Sequence, residues 1–95
     1  MNKATLIKHL DNFSGIAAIY KVSPPMRDFD GNEWEYVIVS ATTLPFTGCT
    51  ETYIFPAHGA NAITPADWGE MPGSLKNTLS HSDALSNAGY QIAIA

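Results

Sequence analysis

A single cysteine, Cys49, stands in a chain of 95 residues, which excludes a disulfide framework. Charge is scarce too: 15% of residues are Asp, Glu, Lys or Arg, against about 25% in an average soluble domain. No stretch approaches the ~18 consecutive apolar residues of a membrane span. The opening residues Met1-Asn2-Lys3-Ala4-Thr5-Leu6 lack the apolar core of a secretory signal, so a cytoplasmic protein with no membrane partner is expected. What is present excludes disorder, because 45% of residues are hydrophobic and the net charge is only −4, enough apolar surface to close one core. The whole chain, 1–95, is expected to form one domain.

The charges are unevenly placed. Nine of the fourteen lie in the first thirty-five positions, and from Tyr36 onward Lys76 is the only Lys or Arg, set against Glu51, Asp67, Glu70 and Asp83. A protein that neutralises several duplex phosphates needs a basic stripe; the sequence shows none, so no direct duplex partner is expected. Nine scattered carboxylates make no dense anionic surface either, so a DNA mimic fares no better. Hydroxyls and amides take the place of charge, with eight Thr, seven Ser and six Asn. They suit caps, turns, or a surface partly buried in a homo-oligomer.

Ala4, Ile7, Leu10 and Phe13 recur every third residue, and this spacing predicts an N-terminal helix ending near Asn12 to Gly15. Gly15 to Val22 and Trp34 to Thr42 are rich in β-branched and aromatic residues and read as strands. The second carries apolar residues on both faces, the pattern of a central, doubly covered strand. Ser23-Pro24-Pro25 is expected to end the first strand, and Asp30-Gly31 to mark a hairpin tip. A third strand, Thr52 to Phe55, is expected to stop at Pro56. Thr64-Pro65-Ala66-Asp67 has the residues of one capped helical turn bearing Trp68. Ser80-His81-Ser82-Asp83 opens a short helix that Gly89 closes, and Tyr90 to Ala95 is a last strand. The expected fold is α+β: about four mostly antiparallel strands, an N-terminal helix, a short C-terminal helix and one long irregular loop.

The run Glu51-Thr52-Tyr53-Ile54-Phe55-Pro56-Ala57, followed by Asp67-Trp68-Gly69-Glu70, Gly73-Ser74 and Ala84-Leu85 through Ala88-Gly89-Tyr90, resembles a group of small uncharacterised bacteriophage and prophage accessory proteins. The likeness spans roughly residues 37 to 92. It implies a phage origin and transfers no functional residue. Phage proteins of this size often counter host defence, by binding a host effector or sequestering a nucleotide-derived signal; that implication is an association.

Asp28, Asp30 and Asn32 occupy alternate positions like the start of a calcium loop, but the glycine and the closing glutamate of such a loop are misplaced, so a hairpin turn is the better reading. His9, His58, His81 and Cys49 lie too far apart for the short ligand spacings of zinc sites. Cys49 sits in a turn with no cation to activate it, and reads as a passive thiol. No metal and no cofactor are expected.

The best candidate site is Asp67-Trp68-Gly69-Glu70 with Gly73-Ser74. An aromatic ring on a Gly/Pro-rich segment can stack a base, and free N–H groups can hold a phosphate without a cation; the plainer alternative is that Trp68 only covers the core. The expected function is a non-enzymatic anti-defence protein, homo-oligomeric, that sequesters a small nucleotide-like signal or caps a host defence protein, with contacts from Trp68, Ser74, Gly73, Tyr53, Tyr36 and Glu70. One rival is a small nucleotide-cleaving hydrolase using His58 or His81 as acid–base, with Glu51 or Glu70 as partner. Another is a virion-associated structural accessory protein.

Overall fold

Trp34-Glu35-Tyr36-Val37-Ile38-Val39-Ser40-Ala41 puts apolar side chains on both sides of an extended chain, and it lies well inside a sheet with neighbours on either hand. The computed structural model describes residues 2–11, 15–43, 48, 50–66, 69, 71–76 and 80–93. Its elements are β1 (Lys3–Leu10), β2 (Ile16–Arg27), β3 (Glu33–Thr43), β4 (Thr50–Ala57), β5 (Leu75–Lys76), α1 (His81–Asn87) and β6 (Gln91–Ala93). Among the described residues the strands form one six-stranded sheet in the order β5-β4-β3-β2-β1-β6. All neighbours are antiparallel except β1 and β6, which run parallel.

The expected four-stranded α+β fold is therefore wrong in its balance: the molecule is mostly sheet with one short helix near its C-terminal end. The N-terminal helix does not exist; Lys3–Leu10 is strand β1. Its apolar residues mimic a helical spacing because the strand contains a bulge. Register jumps from Leu6↔Tyr20 to Lys8↔Ile19, leaving one extra residue in β1, and such an insertion reverses which face the following side chains point to. Ala4 joins the core on one face and Leu10 the core on the other, although an unbroken strand would put both even-numbered residues on the same side.

Three prolines expected to end strands lie inside them. Pro24 and Pro25 fall in the stretch of β2 where pairing with β3 shifts between Lys21 and Met26, so no ladder donor is needed there. Pro56 is paired with Val37 within β4, yet its carbonyl accepts the Ala66 N–H on the side away from β3 at 2.7 Å. In a strand the N and C=O of one residue point the same way, so the N–H that proline lacks would also have faced away from the β3 ladder.

The sheet separates two cores. One face carries Ala18, Tyr20 and Val22 of β2, Val37 and Val39 of β3 and Ile54 of β4, covered by Ala84 and Leu85 of α1 with Met71 and Tyr90. The other carries Leu10, Ala17, Ile19, Ile38 and Ala57, with Tyr36 and Ala62 packed on it. The helix forms as its sequence predicts. Ser80 is the N-cap, its hydroxyl accepting the Asp83 N–H. At the other end Gly89, at φ +94°, lets its N–H reach the Ser86 carbonyl and the Tyr90 N–H reach the Leu85 carbonyl, the paired bonds of a Schellman stop. Of the turn expected at Thr64 to Asp67, the described part, 64–66, is not helical. Asp67 and Trp68 lie outside the described residues.

Candidate functional site

His81 begins α1 and packs over the helix-covered face against β2. Its Nε2 lies 2.8 Å from the Ile16 carbonyl oxygen and its Nδ1 lies 3.0 Å from the Tyr20 hydroxyl, with the two rings edge to face at 5.8 Å. A carbonyl can only accept, so Nε2 carries the proton, and Nδ1 accepts from Tyr20. Burial holds the His81 pKa below its ordinary value, the Ile16 carbonyl partly opposing it and the nearby His9 adding to it. Burial likewise raises the Tyr20 phenol. Both groups are thus neutral near pH 7, and neither imidazole nitrogen is free to take a substrate proton.

The carboxylate expected to serve it is elsewhere. The β3–β4 register runs unbroken from Tyr36↔Ala57 to Thr43↔Thr50, so Glu51 shares a face with Tyr53 and Ala57, opposite the face on which Tyr20 and His81 meet. One Glu51 oxygen, Oε2, is buried and has no hydrogen-bond partner among the described residues. His58 meets the Trp34 ring edge to face at 5.8 Å. Glu70 lies outside the described residues, so the expected acid–base set is brought together only as far as separate, differently engaged members.

The predicted ligand contacts also divide between locations. Tyr36 packs on the second core. Tyr53, on that same face, stacks on Phe55 with ring centroids 5.7 Å apart. Ser74 uses its hydroxyl to hold the loop: it accepts the Ile54 N–H at 2.9 Å and donates to the Met71 carbonyl at 3.0 Å, while the Met71 N–H reaches the Ile54 carbonyl. Gly73, at φ +105°, lies against α1, where a Cβ would stand 2.5 Å from the Ala88 Cβ, and its carbonyl accepts from the Asn87 amide. Gly73 and Ser74 therefore fasten the loop to β4 and α1. Trp68 and Cys49 lie outside the described residues.

The Asp28 carboxylate is likewise occupied. Oδ1 accepts the N–H groups of Asp30 and Asn32, and Oδ2 accepts the Trp34 indole N–H at 3.0 Å. These bonds, the indole's foremost, hold its pKa below the ordinary value and close the β2–β3 turn. Donors on both oxygens are the reverse of what a cation requires. Among the described residues no group of three or more His, Cys, Asp or Glu side chains could hold a metal, and no helix is long and apolar enough to cross a membrane.

An open concavity lies elsewhere, between the outer flank of α1 and β6. It is an open cleft of about 560 Å³, with Ser82, Asp83 and Ser86 from the helix facing Asn2, Gln91 and Ile92. The volume is in the range of binding clefts. Its polar groups are hydroxyls, amides and one carboxylate, with no Lys, Arg or His in the lining. The sequence signal for it was slight: Ser82 and Ser86, four apart, fall on one flank of the helix. A smaller cleft of about 320 Å³ sits where β1 meets β2, beside His9, Asp11 and Ile16.

Comparison of the chain with protein-family models, with curated proteins and with solved structures gives no match in any of the three.

Proposed function

We propose that this is a phage-encoded, non-enzymatic binding protein that blocks a component of bacterial host defence, and that the cleft between α1 and β6 is its contact surface. The cleft is the observation that carries the reading. It offers neutral hydrogen-bond donors and acceptors and one carboxylate, a lining suited to the backbone and side chains of a protein. A nucleotide-derived signal, rich in phosphate, is matched less well, because Asp83 would repel it and no lining residue is cationic. The His81 geometry supports the non-enzymatic half, since both ring nitrogens are committed within the fold.

The test is a plating assay. Phage are titred on cells carrying individual defence systems, with and without the protein expressed from a plasmid. Restored plating on at least one defence strain is expected, abolished by Ser86→Arg, which fills the cleft from an exposed helix position. Restoration that survives Ser86→Arg, or no restoration on any defence strain, would overturn the reading. Chromatographic turnover of a nucleotide by the pure protein would overturn its non-enzymatic half.

A further inference from the structure

β6 closes the sheet on one side. Its Gln91 N–H donates to the Asn2 carbonyl at 3.0 Å, and Gln91, Ile92 and Ala93 stand opposite Lys3, Ala4 and Thr5 of β1. Successive residues of a strand direct their backbone groups to opposite sides. Gln91 and Ala93 therefore turn theirs toward β1, and Ile92 turns its N–H and C=O away from it. Among the described residues β6 has no neighbour on that outer side. One outward N–H and one outward C=O on the same residue are what an antiparallel strand needs to exchange a pair of hydrogen bonds.

That outward edge belongs to the cleft. Ile92 and Gln91 form one wall, and α1 stands over it with Ser82, Asp83 and Ser86. A groove between a helix and an open sheet edge accepts an extended peptide as an added strand, with backbone bonds giving affinity and alternate side chains lying along the helix. The charge selects among peptides. Asp83 is exposed at the groove, the lining holds no cation, and the whole chain carries −4. A second copy of this chain would bring its own Asp83 and its own negative charge to the edge, and is disfavoured.

We infer that the α1–β6 groove binds a basic, extended segment of a partner protein as a seventh strand, paired to Ile92 and selected by Asp83. This rests on reading the groove as the binding surface, and it names what the groove takes.

The probes are an acetylated octapeptide alternating Lys with Val, and its counterpart with Glu for Lys. Binding is read by fluorescence anisotropy and by amide shifts in the nitrogen-15-labelled protein. The Lys peptide is expected to bind at least tenfold more tightly than the Glu peptide, with the largest shifts at Asp83, Gln91 and Ile92 and slowed exchange of the Ile92 amide. Asp83→Lys should reverse the preference. Ile92→Pro, which removes the outward backbone donor together with a side chain packed on the core, should weaken the Lys peptide at least tenfold. Should that variant unfold, Asp83→Lys, at an exposed site, carries the test alone. Equal binding of the two peptides, a preference unmoved by Asp83→Lys, or shifts confined to another surface would overturn the proposal. So would a dimer in light scattering that Ile92→Pro dissolves, since a second copy would then hold the edge. The plating assay separates the two readings: defence blocking that persists in Asp83→Lys sinks basic-strand addition and leaves the anti-defence reading standing, whereas charge-selective peptide binding without any plating effect does the reverse.

Discussion

Replacing Tyr20 by Phe removes one oxygen and tests whether the His81 arrangement holds the fold together. The hydroxyl donates to His81 Nδ1 at 3.0 Å; in Tyr20→Phe that nitrogen loses its donor while Nε2 stays bound to the Ile16 carbonyl. A buried acceptor deprived of its partner costs about 1–3 kcal/mol. The bond is part-buried, so water offsets part of the loss and the lower end of that range applies, about 1–1.5 kcal/mol. For a chain of this length each kcal/mol lowers the melting temperature by about 4–8 °C, so a fall of roughly 4–12 °C is expected by differential scanning calorimetry at pH 8. The same site gives a pH signature. His81 titrates lower in the fold than in the unfolded chain, whose histidine value is near 6.5. As pH falls through that value the unfolded chain takes up a proton that the native state refuses, and stability drops. It should be level above about pH 7.5 and decline below it, by at most about 1.4 kcal/mol per pH unit, until the native His81 also protonates. His81→Gln, which keeps an amide to face Ile16 but cannot titrate, should flatten this limb. A Tyr20→Phe variant that melts within about 1 °C of the parent would refute the stabilising role of the Tyr20–His81 bond, and a parent as stable at pH 6 as at pH 8 would refute the view that burial keeps His81 neutral.

Three other changes separate structural from ligand-binding roles. Gly73→Ala should cost about 2–4 kcal/mol in urea denaturation, since a left-handed backbone and a Cβ 2.5 Å from the Ala88 Cβ combine conformational strain with overpacking. Ser74→Ala should cost about 1–2 kcal/mol by the same assay, because the Ile54 N–H and the Met71 carbonyl lose one partner in common, and it should leave defence blocking intact under conditions where the variant is folded. Asp28→Asn should lower the melting temperature at pH 7, where it sets an amide N–H against the Trp34 indole N–H. The difference from the parent should narrow as pH falls below about 4, because a carboxylate whose pKa is depressed by folding stabilises only while ionised.

The parts of the fold legible in the sequence are those settled by local chemistry. Ser80 and Asp83 announce the start of α1 and Gly89 its end, and all three act through bonds within a few residues. The two-faced apolar pattern of β3 was legible for the same reason: alternation is a local property, and Val37, Ile38 and Val39 are each fully buried. β1 was misread because its bulge is set by the partner strand. Nothing within Lys3–Leu10 says that Ile7 is an extra residue against β2, and without that knowledge the apolar positions fit a period of three better than a period of two. The prolines misled in the same way. Whether Pro56 breaks β4 depends on which side its nitrogen faces, and only the Ala66 contact reveals that.

The site obeys the same rule. The Tyr20–His81 pair joins residues 61 positions apart, so the sequence could nominate His81 as a reactive imidazole but not show that Tyr20 and Ile16 occupy both its nitrogens. Gly73 and Ser74 were nominated for free backbone and hydroxyl groups, and the fold uses those groups to tie the loop to β4 and α1. Low charge after residue 35 pointed to recognition by neutral hydrogen bonds, and the α1–β6 cleft has that lining, yet its members come from Asn2, the flank of a short helix and the last strand. They meet because β6 pairs parallel to β1, and that pairing leaves Ile92 with its backbone turned outward under Asp83. A chain this poor in charge thus has its one lining carboxylate beside a strand edge that is open among the described residues. Without a charge there, such an edge invites pairing with any extended chain, its own copies included; in the strand addition we infer, the carboxylate turns that hazard into a preference for basic partners.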